Sequence, residues 1–505
     1  MAQLGHQLRR HRGPLLVVAA LLVCASLIWV VAAQTPQPPP SSAAATPTAD
    51  GGPYPVTGEP AWSAPDPNRP VVDLSYDVAA DLHSATGELH IEFHPDLPVC
   101  ELIFRAWPNK PSTANTGNAL TITQAQLGST ITQVNVDPAG APPGHPGTLI
   151  EIPLGQCVPA GTDITATLRF HITLGPGTDE RVGVSRTGQL AWFGTAFPML
   201  AWQRTRGWAR EDAVTVIGET ATSEAFRLHS LRVSAPDAFA VLAVGQLVGT
   251  TRDPAMGVIT HEFAAEAVRD VAVTVGSIDV LDRTVGQVRV HLGGPAYPGR
   301  ADLSAWADQV ESAITRLQDY LGPFPYQDLW VSVIPDQSDG TEFPSAIQLG
   351  RLRFPRQAYI ITHEVAHQYF YALVGNNQAE SPWLDESLTS FVQRVVDDPN
   401  HDPALDDGFD PRLRDQWGRS MAQWQDTRSA NSAYEAAVYE AGPDALIEAR
   451  RAVGATKFDA ALRQYLHANA ESIATRDDFA AAFAALPEAL AILNPGLTAH
   501  TTTRT

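Results

Sequence analysis

Two histidines four residues apart, in His363-Glu364-Val365-Ala366-His367, and a glutamate nineteen positions beyond the second, Glu386, constrain this chain more than any other feature. On a helix, residues four apart share a face, so both imidazoles reach one ion while Glu364, one position round, faces the ion's open coordination place. His363, His367 and Glu386 thus form the ligand set of a single catalytic Zn2+, with a water left to react and Glu364 as its general base. The fold has to put both histidines on one helix and return a second helix over them. The bland alternative is an amphipathic helix whose histidines and glutamate are merely solvated or paired with each other.

With 505 residues, 44% of them hydrophobic, the chain can build two or three domains, each with its own core. Its 34 basic and 55 acidic residues leave a formal charge of -21, which argues against nucleic acid and anionic membrane surfaces as partners. Oligomeric state is not legible.

Arg9, Arg10 and Arg12 precede an uncharged run from Pro14 to Ala33, long enough to cross a bilayer, and no further Lys or Arg occurs before Arg69. That asymmetry places the N-terminus inside and the rest outside the cytoplasm. Residues 1–33 are therefore a membrane anchor or, given Val31-Ala32-Ala33 before Gln34, a cleaved signal peptide and a secreted protein. Of three cysteines, Cys24 lies in this run, leaving Cys100 and Cys157 to pair in an oxidising compartment or to stay as buried thiols.

Residues 34–68, rich in Pro, Ala, Ser and Thr, read as a disordered tether. From residue 69 to 284 the pattern alternates, with Leu74, Tyr76 and Val78, then Leu89, Ile91 and Phe93, facing one side; this predicts a β-rich, sandwich-like domain. Residues 285–490 turn to helical period, with Leu303, Trp306, Val310, Ile314 and Leu317 on one face up to Gly322-Pro323, then a strand from Leu329 to Ile334. The histidine helix is expected over Gln357 to Val374, and the next from about Asp385, which puts Glu386 in a first turn. Residues 491–505 read as a frayed tail. His229, His261, His291 and His401 show no ligand spacing.

The pattern resembles the M1 aminopeptidases, zinc peptidases of the gluzincin group, over most of residues 70 to 490. His363 to Gln368 and Trp383-Leu384-Asp385-Glu386 match best. Gly340-Thr341-Glu342-Phe343-Pro344 looks like the family's exopeptidase strand, and Tyr439-Glu440-Ala441-Gly442 like the segment carrying its catalytic tyrosine. Weaker matches are Arg105 to Asn109, Trp192 to Trp202, and Gly322 to Tyr326.

The resemblance implies a multidomain fold: a β-rich N-terminal sandwich or saddle domain plus an α+β thermolysin-like zinc peptidase domain, without the large C-terminal helical domain. It assigns the oxyanion donor to Tyr439, with Tyr434 as the competitor, and assigns Glu342 to the free ammonium of a peptide substrate. Three departures stand out: Thr341 for the usual Met, Ser387 for Gly, and Ala441 for Lys. The expected activity is zinc-dependent removal of N-terminal residues from peptides. Its rivals are an endopeptidase on the same scaffold, should Glu342 point away from the cleft, and a non-catalytic zinc-containing binding protein.

Overall fold

The computed structural model describes residues 62–498 apart from 177–178, 218–221, 297–301, 351–352, 354 and 407. The apolar run, most of the tether and the last seven residues lie outside them. Among the described residues no helix is long and apolar enough to cross a membrane.

Alternation in the N-terminal half becomes sheet. Along Val71–Val78, Val72, Leu74, Tyr76 and Val78 are buried while their neighbours are partly or fully exposed. This strand lies inside an eight-stranded sheet, antiparallel to Ser84–Phe93 and parallel to Phe226–Pro236. Two four-stranded sheets face it, one holding Val99–Arg105 and Leu149–Val158, the other Val182–Val184, Leu190–Gly194 and Ala272–Gly276. Tyr76, Phe93, Phe104, Phe170 and Trp202 fill the space between the sheets. Cys100 and Cys157 are joined by a disulfide across Val99–Arg105 and Leu149–Val158, next to the Val99 and Val158 pair.

The second half is built on a five-stranded sheet in the order Ile278–Val285, Val288–Pro295, Asp328–Ile334, Ala346–Gly350, Gly340–Phe343. The sheet thus begins at Ile278, several residues before the change of period at 285. The last strand, Gly340–Phe343, forms an edge and runs antiparallel to its neighbour. Helix Leu303–Leu321 starts where the Asp302 carboxylate accepts from the Ser304 amide (3.0 Å) and stops at Gly322, whose φ of 118° suits glycine. It buries Trp306, Val310, Ile314 and Leu317, each contributing about 1.5–3 kcal/mol. At the chain's end, Pro487–Leu497 is a helix with Leu493 buried, so order extends into the stretch expected to fray.

The two halves share a core. Trp330, Phe343 and Ala346 of the catalytic sheet pack among the β domain's apolar residues. Phe343 sits so close to Gly194 that a Cβ there would lie 2.1 Å from the ring, and the Trp330 indole donates to the Gly245 carbonyl (2.7 Å).

Candidate metal centre and active site

The histidine helix spans Arg356–Ala366 and is shorter than its apolar pattern suggests. His367 keeps helical dihedrals (φ −60°, ψ −14°), so it still shares a face with His363. Beyond it the turn widens: the carbonyls of His367, Gln368 and Tyr369 accept from amides five residues on, and Tyr371 takes a positive φ of 88°. Gln368 explains the departure. Its side chain accepts from the Ser345 amide (2.8 Å) and donates to the Phe343 carbonyl (2.9 Å), tying the end of the edge strand to the helix.

Glu386 opens helix Glu386–Asp397, preceded by a single turn over Pro382–Leu384. It returns to the histidines as the spacing predicts. His363 Nε2 lies 3.1 Å from Glu386 Oε2 and 3.1 Å from His367 Nε2, and His367 Nε2 lies 3.4 Å from Glu386 Oε2. A tetrahedral ion bonded at roughly 2.1 Å keeps its ligand atoms about 3.4 Å apart, so these three atoms form one face of such a site. The donor set, two imidazoles and a carboxylate, is the one zinc takes in hydrolytic centres. The residues present therefore fit Zn2+.

Asp385, to which the sequence reading assigned no role, sets the imidazole's orientation. His367 Nδ1 is 2.8 Å from Asp385 Oδ1 and 3.2 Å from Thr389 Oγ1, which leaves Nε2 to face the cluster. Gln378 holds the other Asp385 oxygen (2.7 Å). An acid directly before the third ligand was the available signal. Burial works to lift Glu386, but His367 and His363 outweigh it and hold its carboxyl well below the usual range. For His367, burial opposes the charge, and Glu386 and Asp385 overcome it, raising its pKa.

Glu364 is 4% exposed, and its Oε2 has no hydrogen-bond partner among the described residues. Burial raises its pKa well above the carboxylate range; His367 opposes this, while Glu342 and Glu386 add to it. A cation at the cluster would pull it down again. Gly340 makes room for it: a Cβ there would lie 2.3–2.4 Å from Glu364 Oε1, Cδ and Cγ.

His363, Glu364, His367, Glu386, Glu342 and Tyr439 line a single cavity of about 380 Å³. Carboxylate atoms of Glu342 and Glu364 and a ring nitrogen of His367 lie within 4.8 Å of one another, so Glu342 points into the cleft. Tyr439 is half-buried, its ring 5.9 Å from that of His363; Tyr434 also lines the cavity but is buried against Trp424. Tyr439 lies on a π-helical stretch, Ala436–Ala441. Ser387 supports this stretch, its hydroxyl donating to the Val438 carbonyl (2.6 Å) opposite Gly442, where a Cβ would lie 2.3 Å from that hydroxyl. The serine that departs from the family pattern thus joins the third ligand's helix to the tyrosine's segment.

Residues 353–494 match the peptidase family M1 domain. The matched segment holds both histidines, Glu364, Glu386 and Tyr439. Together with the His363, His367 and Glu386 cluster, which can hold a metal ion, this match gives the segment the make-up of a zinc metallopeptidase. In three dimensions the chain is similar to an M1 zinc metallopeptidase from Deinococcus radiodurans, at 16% identity and a TM-score of 0.58, over 85% of this chain and 93% of the other. A mutant of that protein bound to a Tyr-Ser-Ala substrate matches at 16% identity and 0.58, over 86% and 95%. A two-domain M1 zinc metallopeptidase mutant bound to L-arginine matches at 15% and 0.59, over 86% and 94%. The architecture is accordingly the two-domain M1 fold. A comparison with curated protein sequences finds no match.

Proposed function

We propose that this protein is an M1 zinc metallopeptidase, an aminopeptidase that removes N-terminal residues from peptides outside the cytoplasm. The observation carrying the reading is Glu342, whose carboxylate faces the cavity within 4.8 Å of Glu364 and His367 atoms. A carboxylate there pairs with a free α-ammonium group and leaves room for a single residue before the scissile bond. The edge strand Gly340–Phe343, paired on one side only among the described residues, offers backbone groups to an extended peptide.

One zinc ion held by His363, His367 and Glu386 would supply a Lewis acid and an acidified water. Glu364, which the nearby cation would hold ionised, takes the proton from the attacking water and returns it to the leaving amine. Tyr439 donates its hydroxyl to the oxyanion as the carbonyl becomes tetrahedral. Asp385 keeps His367 in the orientation its role requires.

The compartment rests on the Arg-flanked run before Gln34, retained as an anchor or cleaved, and the Cys100 to Cys157 disulfide agrees with an oxidising environment. Turnover of an amino-acid arylamide against an N-acetylated peptide of the same residue tests the activity. Equal cleavage of the blocked peptide would sink the aminopeptidase claim in favour of an endopeptidase.

A further inference from the structure

We infer that Arg181, contributed by the β domain, is the positioning residue for Glu342 and therefore for the substrate's N-terminus. Arg181 Nη2 donates to Glu342 Oε1 at 2.7 Å, with both side chains 6–7% exposed. The contact is single-pronged: it engages Oε1 and leaves Oε2 for an incoming ammonium. Nε and Nη1 of Arg181 are buried without a hydrogen-bond partner among the described residues, so the guanidinium's one polar attachment there is Glu342. A buried guanidinium left with two unpartnered nitrogens is a poor structural tie, since each has lost its water without gaining a hydrogen bond. Its retention is better explained by what it does to the carboxylate.

The anchor's neighbourhood needs that charge. Glu180, which also lines the cavity, is partly exposed and pairs with Lys110 (3.4 Å), whereas Glu342 and Glu364 are both buried there and repel one another unless a cation stands beside them. Arg181 supplies it from the side, packed over the Phe343 ring at 5.2 Å. Its own segment is clamped to the catalytic domain: the Gln337 amide donates to the Asp179 carbonyl (3.3 Å) and to that of Glu180, and the Arg186 amide donates to Asp336 (2.7 Å). Trp192 holds the Asp179 carbonyl from within the β domain (3.0 Å). Recognition of a free amine is thus assembled across the domain boundary, with the anchor on one domain and its orienting cation on the other.

This inference rests on the aminopeptidase reading, and the test separates the two. The amino-acid p-nitroanilide turned over fastest by the wild type is assayed with R181M, R181K, E342Q and the R181M/E342Q pair, alongside an N-acetylated peptide, zinc content and thermal melting. R181M is expected to raise KM for the free-amine substrate about tenfold or more while kcat changes much less, with zinc content unchanged. R181K, which keeps a cation in place, is expected to recover most of the loss. The double variant is expected to be no worse than E342Q, because both changes remove the same interaction. An unchanged KM in R181M, or losses that multiply in the double variant, would overturn the positioning role while an effect of E342Q alone kept the aminopeptidase reading. If E342Q leaves free-amine and blocked substrates alike, both fall. Should R181M not fold, R181K and R181K/E342Q decide by the same criteria.

Discussion

Replacing Gly340 by alanine tests the geometry of Glu364, the proposed general base, most directly. The glycine lies in the edge strand Gly340–Phe343 with ordinary extended backbone, so the added methyl acts by volume and not by strain. Its Cβ would lie 2.3 Å from Glu364 Oε1 and 2.4 Å from both Cδ and Cγ. Ordinary contact begins near 3.4 Å, so the side chain has to retreat by roughly 1 Å. Rotating the carboxylate alone does not relieve a clash that includes Cγ. A misplacement of about 1 Å at a reacting group costs on the order of 100-fold, or about 2.7 kcal/mol in the barrier. Steady-state kinetics of G340A on an amino-acid arylamide should therefore show kcat down about 100-fold, with zinc content and melting temperature close to wild type. The three ligand atoms are not touched by the change. A kcat within about threefold of wild type would refute the close packing of Glu364 on the strand, as would a loss accompanied by loss of zinc.

Tyr439→Phe should lower kcat by about 100- to 1000-fold with little change in KM, whereas Tyr434→Phe should not; the reverse result would exchange their roles. Chelation should abolish activity and lower the melting temperature, and zinc at about 100 times its Kd should restore about 2.7 kcal/mol of stability; a melt indifferent to chelator would contradict a bound ion. Replacing Cys100 and Cys157 together by serine opens a link between residues 57 apart and should cost about 4 kcal/mol in the chain-entropy model, measured by denaturant unfolding. Glu224 is lifted from its ordinary 4.5 to about 8, first by burial and then by Asp96 and Asp66, against Arg204. Because the folded state keeps a proton that the unfolded chain has released, stability should fall as pH rises from 4.5 towards 8, by up to about 1.4 kcal/mol per unit. E224Q should flatten that slope, and equal slopes would refute the shift.

Regular periodicity carried the fold a long way. The alternation at Leu74, Tyr76 and Val78 and the helical spacing from Trp306 to Leu317 were legible because each reflects burial of one face of one element. The same pattern overextends the histidine helix by two turns: Tyr369, Phe370 and Leu373 are as buried as helix residues, yet they sit in a widened turn. Hydrophobicity records that a residue is inside, not which backbone put it there. The order at Pro487–Leu497 escapes the pattern because its two buried apolar side chains, Ala489 and Leu493, are too weak a signal against a Thr-rich end.

The chain alone brought out His363, His367 and Glu386 as a candidate ligand set, with Glu364 between the histidines, because helix geometry converts a spacing of four into a shared face. It also determined which cysteines could meet and that Glu386 would open a helix. Only the tertiary structure decided that Glu342 turns into the cleft, that Gly340 leaves space for Glu364, and that Arg181 reaches Glu342 from 161 positions away in another domain. No local rule connects such residues, since their proximity follows from how Phe343 and Trp330 seat the catalytic sheet in the β domain's core. Chemistry written within one or two helical turns is readable in order; chemistry assembled where two cores meet exists only once they have packed.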